Sequence, residues 1–341
     1  MSSFINEAAW IASAKSKPLQ VGPAPAPMPE ENEVVIKVAY AAVNPVDWKL
    51  QEEASFELKY PFILGTDVAG TIVQLGSGVT RLKLGQRVIG HCDGFVSGKA
   101  SNCAFQLYTT CREILVAAVP NSLPLANAVV LPISISTASS ALFVQLKAPL
   151  PSLNSQSTGK KVLIWGGSSS VGSSAIQLAR ASGLEVITTA RSANHALVKQ
   201  LGATDVFDHK NTDTVDKISN ILRPGDLVVD CISSEDTQVK CGEILSRTGG
   251  GKLAILGFPK GSVHESVERV FVNGLAPGFT NPEVGDAVWR QYIPSALANG
   301  KFQAKPDPII VKGGLSKLQE GIDLLRGGVS AKKVVVEIAQ E

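Results

Sequence analysis

Cysteine is scarce in this sequence, and neither sign of charge is in excess. The 341 residues include five cysteines, an odd number without regular spacing, which argues against a disulfide framework and is typical of a reducing compartment. Lysine and arginine number 32 and aspartate and glutamate 30, so the formal net charge is +2. No run of like charges stands out that could follow a phosphate backbone, and we expect no nucleic-acid partner.

The sequence also lacks a secretory signal and an unbroken membrane-spanning run. The amino-terminal segment MSSFINEAAWIASAK has no basic flank followed by an apolar stretch, so a cytoplasmic location is expected. The most apolar window, residues 125–146, is interrupted by Asn127, Pro132 and several serines, which a bilayer-spanning helix disfavours. We expect this window to lie in the interior of a soluble protein without a membrane partner.

Length and hydrophobic pattern predict two domains of different class. A chain of 341 residues corresponds to about two domains at roughly 150 residues each. Short apolar runs separated by glycines predict a β-rich domain in the first third, at residues 33–43, 71–73, 87–89 and 114–119. The middle alternates apolar strands with helices, which predicts a parallel, doubly wound α/β sheet. Its strands are residues 161–165, 184–189, 205–207, 226–232 and 252–256, with helices at 173–181 and 193–201. The tail carries a helix, 315–325, and a strand, 333–338.

A glycine-rich turn follows the first strand of the α/β region. Residues 162–172 are VLIWGGSSSVG and lead into a helix, in the pattern Gly167-x-Ser169-x-x-Gly172 of a dinucleotide fingerprint. In this interpretation Gly167 permits the tight turn, Ser169 stands where the backbone approaches the pyrophosphate, and Gly172 lets the helix pack against the strand. The helix amino terminus then faces the phosphates. The predicted phosphate-side contacts are Gly167, Ser168, Ser169, Ser170, Val171 and Gly172.

The end of the second strand predicts which cofactor binds. An acidic side chain about 20 residues after the turn would bind the ribose hydroxyls of NAD, but the sequence there is Thr-Thr-Ala-Arg-Ser, without an acid. Arg191 and Ser192 are able to bind a 2′-phosphate, so NADPH is favoured over NADH. Asn194 and His209 are further predicted contacts, although a surface turn accounts for His209 almost as well.

Several motifs, in order, resemble those of a known family. The sequence carries NPVDWK at 44–49, LGTDVAG at 64–70, PISISTA at 132–138 and the GGSSSVG turn. The chain resembles zinc-independent medium-chain dehydrogenases/reductases of the quinone oxidoreductase type. Within them it is similar to fungal trans-acting enoyl reductases of polyketide biosynthesis, through DWK at 47–49, FDH at 207–209, VDCI at 229–232 and KKVVV at 332–336.

The resemblance implies a division of the chain into domains. A GroES-like, β-rich catalytic domain is expected over residues 1–125 and a Rossmann NADP-binding domain over 126–285. Residues 286–341 are expected to return to the catalytic domain, with the active site in the cleft.

The residues that hold catalytic zinc in metal-dependent relatives are replaced in this sequence. Those relatives have a cysteine three residues before the aspartate of the first motif and a His-Glu pair in the second, where this chain has Asn44 and Thr66-Asp67. Amide and hydroxyl groups are poor replacements for thiolate and imidazole, so no metal site is expected. His91, beside a cysteine, is expected to make an ordinary polar contact. Without a Lewis acid, hydride delivery to an activated C=C bond is favoured over oxidation of an unactivated alcohol.

The resemblance implies an NADPH-dependent enoyl or enone reductase. Hydride would add to the β-carbon of an α,β-unsaturated carbonyl, and the enolate would be protonated at the α-carbon. Lys49 is the first candidate donor to the carbonyl oxygen, or a group that holds the acyl chain, and Thr137 is the second. A solvated loop lysine and a helix cap are the alternative interpretations. An NADPH-dependent quinone or aldehyde reductase, or a non-enzymatic NADPH-binding protein, stays open.

Further contacts and partners are implied by the same motifs. Cofactor contacts are expected at Pro45, Val46, Asp47 and Trp48 on the nicotinamide side, at Leu256 and Gly257 after a sheet strand, and at Gly328 and Val329 in the tail. Residues 273–286, expected to line the substrate pocket, match poorly. The substrate is expected to be a small molecule or an acyl chain on a polyketide synthase carrier domain. An acidic carrier would meet basic residues such as Lys49, Lys59, Arg81 and Lys83, and a monomer is favoured over a dimer.

Overall fold

The structure, a computed structural model, describes residues 5–53 and 58–340. Within these ranges the strands are β1 (Asn6–Ile11), β2 (Gln20–Ala24), β3 (Glu33–Ala42), β4 (Phe62–Ile63), β5 (Asp67–Leu75), β6 (Arg87–His91), β7 (Tyr108–Arg112), β8 (Val116–Ala118), β9 (Lys161–Trp165), β10 (Glu185–Thr189), β11 (Asp205–Phe207), β12 (Leu227–Asp230), β13 (Gly251–Ile255), β14 (Val267–Phe271), β15 (Asp307–Val311) and β16 (Lys332–Glu337).

The α-helices are mostly short and connect the strands. They are α1 (Pro45–Glu53), α2 (Gly94–Ser97), α3 (Leu125–Ala128), α4 (Pro132–Ser139), α5 (Ser170–Ala181), α6 (His195–Gln200), α7 (Thr214–Ser219), α8 (Glu235–Arg247), α9 (Ala276–Phe279), α10 (Pro282–Gly285), α11 (Ile293–Ala298) and α12 (Leu318–Arg326). Two π-helical segments, Ser140–Gln145 and Asp286–Tyr292, follow α4 and α10. Single 3-10 turns occur at Ala100–Asn102, Glu113–Leu115, Ser192–Asn194 and Leu315–Lys317.

The chain forms two compact units. The first comprises Met1–Ile133, Ile293–Asn299 and Asp307–Glu341, and the second Ser134–Tyr292 and Gly300–Pro306.

The first unit is built on β3, the longest strand. Eight of its ten residues are buried, because it pairs antiparallel with β16, β5 and β7 and lies at the centre of a seven-stranded sheet. The sheet order is β15-β16-β3-β5-β6-β8, with β7 added on β3, and a smaller sheet has the order β2-β1-β4. The carboxy-terminal strand therefore completes the sheet that the first third of the chain begins.

The second unit is a six-stranded parallel sheet in the order β11-β10-β9-β12-β13-β14. The strand order reverses between β9 and β12, which is the place where doubly wound folds bind ligands at the carboxyl ends of their strands. Strands β9, β10 and β12 are almost wholly buried, as continuous apolar runs in a parallel sheet require. Together the two units confirm the predicted fold class.

The apolar window near residue 130 belongs to the protein interior. Leu125–Gln145 is long and apolar enough to cross a membrane by length and composition, but 83% of its most apolar stretch is buried inside the structure. This burial confirms that the window lies in the protein interior.

Some predicted elements differ from the structure for local reasons. The run at 114–119 begins with the 3-10 turn Glu113–Leu115, so β8 has only three residues. The predicted strand at 226–232 ends at Asp230, because Ser233 takes the left-handed conformation with φ +55°. Strands β1, β2, β4, β7, β14 and β15 were not predicted. β1 is NEAAWI and β15 contains Pro308, so neither has a strong strand signal.

Candidate functional site

The glycine turn of the second unit has no room for side chains at two positions. A Cβ on Gly167 would lie 2.1 Å from Thr188 Oγ1, and a Cβ on Gly172 would lie 2.3 Å from the Gly166 carbonyl oxygen. The left-handed residue of the turn is Gly166, with φ +83°, which corrects the role first given to Gly167. Gly167 instead lets β9 approach β10, and Gly172 lets α5 begin directly beneath the turn.

The serines of the turn organise the amino terminus of α5. Ser169 is its N-cap, and its Oγ accepts a hydrogen bond of 3.1 Å from the Gly172 N–H. Asn194 donates to Ser168 Oγ at 3.4 Å, which joins the end of β10 to the turn. Ser170 and Val171 form the first turn of α5, a helix of 12 residues. The fold therefore brings the predicted phosphate-side residues together at a helix amino terminus, where anions are stabilised.

The predicted 2′-phosphate residues lie after β10 and contact the end of β11. Arg191 and Ser192 are exposed. The Arg191 carbonyl oxygen accepts from the Asn194 N–H at 2.8 Å, and among the described residues its guanidinium has no hydrogen-bond or ion-pair partner. Ser192 donates from its N–H and its hydroxyl to one oxygen of Asp208, at 3.0 and 2.7 Å. The Ser192 hydrogen bonds lower the pKa of Asp208 to about 2, and His209 follows it, half-buried.

Asp208 is a residue that the sequence analysis missed, although it lies in the FDH motif. Its second oxygen accepts from the Lys210 N–H at 3.0 Å. The carboxylate is thus used to hold the loop after β10 against the loop after β11. Because the Ser192 hydroxyl donates its hydrogen bond to Asp208, it has no second proton to donate to a 2′-phosphate, and Arg191 is the cation among the contacts predicted there.

Asp230 and Ser233, two further residues that the sequence analysis missed, hold the ends of β12 and β13 together. Buried Asp230 accepts from the N–H groups of Ile232 and Ser233 and from the Thr237 hydroxyl, at 3.0, 2.9 and 2.7 Å. Burial raises the pKa of Asp230. The Ser233 hydroxyl in turn accepts from the Leu256 N–H at 2.7 Å. The predicted contacts Leu256 and Gly257 are therefore fixed at the same edge of the sheet as the glycine turn.

Thr137 lies on α4 and is almost wholly buried. A Cβ on Gly274 would lie 2.7 Å from Thr137 Oγ1, so Gly274 makes room for this hydroxyl. The neighbouring Ser136 accepts a hydrogen bond of 3.0 Å from the buried Trp289 indole. Thr137 is therefore held on a fixed face of α4 and is an interior residue of the helix rather than its cap.

Lys49 lies on α1 in the first unit and is exposed. Its Nζ is 5.6 Å from the centre of the Trp48 ring, a cation–π distance. Of the other predicted contacts on this helix, Pro45 is exposed, Val46 and Trp48 are half-buried, and Asp47 is fully buried. In the tail of the same unit, Gly328 is exposed with φ +92° and Val329 packs against the core.

The positions of the zinc ligands are joined by hydrogen bonds to one another. Asn44 donates from its side-chain amide to Thr66 Oγ1 and to Asp67 Oδ2, both at 2.9 Å. Buried Lys333 donates to Asn44 Oδ1 and lies 3.2 Å from Asp67 Oδ2. Over residues 5–53 and 58–340 no cluster of three histidine, cysteine or acidic side chains is suited to a metal. An amide, a hydroxyl and an ammonium do not fit zinc, so no step is derived through that metal.

Asp47 connects the start of α1 to the strand that follows it. Its two carboxylate oxygens accept from the backbone N–H groups of Asn44, at 2.7 Å, and of Gly65, at 3.1 Å. Burial raises the pKa of Asp47 to about 7, against the opposing effect of these hydrogen bonds. Asp47 therefore stabilises the fold of this segment by accepting hydrogen bonds from the backbone at both ends of it.

His91 does not make the ordinary polar contact that was expected. It is buried at the end of β6, and neither ring nitrogen has a hydrogen-bond partner among the described residues. Burial lowers the pKa of His91 to about 4, although Asp67 and Asp93 oppose this shift. The ring is therefore neutral at pH 7.

His91 is expected to make the protein less stable in acid. The unfolded chain binds a proton at this ring near pH 6.5, whereas the folded chain does so only near pH 4, so stability falls as the pH is lowered through this window. The loss is about 3 kcal/mol at most. Urea unfolding at pH 7 and pH 4.5 should show a smaller acid loss in His91→Leu than in the unmodified protein. Equal losses in both proteins would contradict the assignment.

Comparison with known proteins agrees with this architecture. Residues 30–126 match the model of the alcohol dehydrogenase GroES-like domain, and residues 170–282 match that of the zinc-binding dehydrogenases. The chain is 65% identical over 340 residues to the trans-enoyl reductase himH of Aspergillus japonicus, covering 100% of this chain and 99% of that protein. It is 31% identical to lovC of Aspergillus terreus, the enoyl reductase component of lovastatin nonaketide synthase, over 92% of each chain.

A solved structure has the same fold. The CurK enoyl reductase superposes with a TM-score of 0.76 at 18% identity, covering 98% of this chain and 100% of that one. One conclusion follows from the two matched domains, the long matches to relatives and the glycine turn at the switch point of the sheet. The chain belongs to the medium-chain dehydrogenase/reductase family.

Proposed function

We propose that this protein is an enoyl reductase that uses NADPH to reduce the C=C bond of an α,β-unsaturated acyl thioester carried in trans by a polyketide synthase. The observation that carries the proposal is the 65% identity, over the whole chain, to a protein named a trans-enoyl reductase. Family membership supports oxidoreductase chemistry. The amide, hydroxyl and ammonium at the zinc positions favour a reaction that needs no metal-bound alkoxide.

The chain supplies binding and charge stabilisation for this reaction. NADPH, when bound, supplies the hydride that adds to the β-carbon. Lys49 presents an exposed ammonium, which is suited to donate a hydrogen bond to the thioester carbonyl oxygen as negative charge develops there. Thr137, almost wholly buried on α4, offers its hydroxyl as a second candidate donor. Water is a sufficient proton source for the α-carbon.

The second unit fits a phosphorylated dinucleotide. Gly167 and Gly172 leave the backbone uncovered at the turn, and the amino terminus of α5 supports the pyrophosphate. The carboxylate of Asp208 accepts three hydrogen bonds from Ser192 and Lys210, and it follows β11 rather than β10, the second strand of the chain's α/β region, where NAD-selective acids stand. Arg191 supports selection of NADPH, since a guanidinium binds phosphate through several hydrogen bonds.

Arg191→Ala is expected to weaken NADPH binding by about 10- to 100-fold, the effect of losing charge-assisted hydrogen bonds. The Kd of NADH should change by less than about twofold, because NADH has no 2′-phosphate. Fluorescence titration of each cofactor measures both values, and Lys199→Ala, an exposed lysine on α6, is the matched control. An equal loss for both cofactors would contradict the role of Arg191 in selectivity.

The function is tested by cofactor oxidation with a panel of acceptors. The purified protein is given NADPH or NADH with trans-2-enoyl thioesters on a carrier domain, soluble enoyl thioesters, a 2-alkenal, a quinone and a simple aldehyde. Turnover confined to enoyl thioesters, and faster on the carrier, is the expected result. Preference for the quinone or the aldehyde would overturn the proposal in favour of the alternative reductase. NADPH binding without turnover of any acceptor would favour a non-enzymatic role.

The proposed partner is an acidic carrier domain met by a monomer of this chain. Of the basic residues suggested for this surface, Lys49, Lys59 and Lys83 are exposed. Arg81 instead pairs with the Glu113 carboxylate and donates to the carbonyl oxygens of Glu113 and Val116, so it serves the fold of the first unit. We therefore place the carrier contact on the three exposed lysines.

A further inference from the structure

Three neighbouring strands bring one buried cation to the replaced zinc positions. Strand β16 pairs with β3 so that Val335 lies opposite Ala42, and continuing this register by two residues places Lys333 opposite Asn44. On the other side of β3, Ala42 lies opposite Asp67. Lys333, Asn44 and Asp67 are far apart in sequence but meet at one end of the sheet. The Lys333 side chain is 4% exposed and that of Asp67 is fully buried.

The contacts around Lys333 form a closed network. Its ammonium donates to Asn44 Oδ1 and pairs with Asp67 Oδ2 at 3.2 Å, while the Asn44 amide donates to the same Asp67 oxygen at 2.9 Å. The other Asp67 oxygen accepts from the Ile133 N–H at 2.8 Å. A buried charge is tolerated when it is paired and hydrogen-bonded, and this ammonium meets both conditions.

The network reaches Lys49 through the start of α1. Asn44 immediately precedes this helix, and its N–H donates to Asp47 Oδ2 at 2.7 Å while its carbonyl accepts from the Asp47 N–H at 3.0 Å. Asp47 supplies one half of a capping box, in which the third helical residue reaches back to the N–H of the cap, while the Asn44 side chain bonds to Thr66 and Asp67 instead. Lys49 lies two residues beyond Asp47. The direction of the first helical turn, and so of Lys49, depends on where Asn44 is held.

The charges facing this ammonium come from several elements. Asp67 on β5 is its ion-pair partner. The charge of the ammonium also acts on the buried Asp47 carboxyl of α1 and on the neutral His91 ring of β6. In the first unit, no metal is needed to hold Asn44 and Asp67 together, because the ammonium bridges them.

We propose that Lys333 is a positioning residue: its buried ammonium stands in for a metal at the replaced zinc positions and, through Asn44, orients α1 so that Lys49 reaches the substrate carbonyl. This inference rests on the proposed function. It assigns to Lys333 an effect on turnover that passes through Lys49 and leaves cofactor binding in the second unit unchanged.

The test is a double-mutant cycle between Lys333 and Lys49. Lys333→Met keeps the apolar stem and removes the charge, and Lys333→Arg keeps the charge. Lys333→Met combined with Asp67→Asn also removes the unpaired carboxylate and so preserves folding if the single variant is unstable. Lys332→Met, which alters an exposed neighbour on the same strand, is the matched control. Each protein is assayed for kcat, KM, thermal unfolding and NADPH Kd.

We expect kcat on an enoyl thioester to fall about 10- to 100-fold in Lys333→Met and in the double variant, as small misplacements of a reacting group do. Lys333→Arg should recover most of this loss, and the Kd of NADPH should stay within about twofold. Adding Lys49→Ala to Lys333→Met, or to Lys333→Met with Asp67→Asn, should cost much less than Lys49→Ala does alone, because the two residues act in one chain of contacts.

Additive losses at Lys333 and Lys49 would overturn the inference, as would a change in stability with no change in kcat. The proposed function would fail in a different way, through absence of enoyl thioester turnover in the unmodified protein. A large effect of Lys49→Ala combined with additivity therefore refutes the role of Lys333 alone.

Discussion

Lys49→Ala should lower kcat for an enoyl thioester by about 100- to 1000-fold, the usual cost of removing one donor from a developing oxyanion. The side chain is exposed and its contact in the structure is the Trp48 ring at 5.6 Å. Such an exposed cation–π contact contributes about 1 kcal/mol or less to stability. The variant should therefore fold normally, and the loss is expected in turnover.

The measurement is steady-state NADPH oxidation with separate determination of NADPH Kd. Lys49→Arg, which keeps the charge, should retain more activity than Lys49→Ala, and Lys312→Ala, at an exposed lysine of the same unit outside the proposed carrier contact, is the control. A kcat within about threefold of the unmodified protein would refute the donor role. A higher KM at unchanged kcat would refute polarisation of the carbonyl and assign Lys49 to holding the acyl chain.

Gly172→Ala should raise the Kd of NADPH by about 100-fold or more. The new Cβ would lie 2.3 Å from the Gly166 carbonyl oxygen and 2.8 Å from Gly167 Cα. Both are backbone atoms of the turn, so no flexible side chain is able to move aside. The turn must open or α5 must shift, which costs about 1–3 kcal/mol of stability and removes the pyrophosphate from the helix amino terminus.

Fluorescence titration with NADPH and thermal unfolding test this expectation together. Gly22→Ala is the control, because a Cβ there has no atom within 4 Å, and it should leave both quantities unchanged. Normal NADPH affinity in Gly172→Ala would show that the phosphates bind elsewhere and would refute the fingerprint as the cofactor site.

The parallel sheet could be predicted from sequence because its strands are continuous apolar runs. β9 and β11 have the predicted bounds, and the turn after β9 has the predicted glycines. In the first unit β3 was predicted, but β1 and β4 were not. Strands in such mixed antiparallel sheets are set by pairing partners distant in sequence, and short or alanine-rich segments carry little local preference.

The candidate site divides in the same way. Local spacing gave Gly167, Gly172 and Ser169, because one turn and one helix start place them together. Asp208 and Ser233 lie in or beside recognised motifs, but their roles follow from hydrogen bonds to Ser192 and Leu256, which lie in the segments after two other strands. Local sequence patterns do not predict which side chains on different strands come within hydrogen-bond distance.

The sequence by itself determined the fold class and the dinucleotide turn, since these depend on local periodicity and on residues a few positions apart, and the family resemblance rested on its motifs. Only the tertiary structure decided that Lys333 meets Asn44 and Asp67, that Ser192 donates a hydrogen bond to Asp208, and that His91 is buried without a hydrogen-bond partner among the described residues. The physical reason is that burial and pairing bring together groups far apart in sequence, and their charges and protons are set by those neighbours.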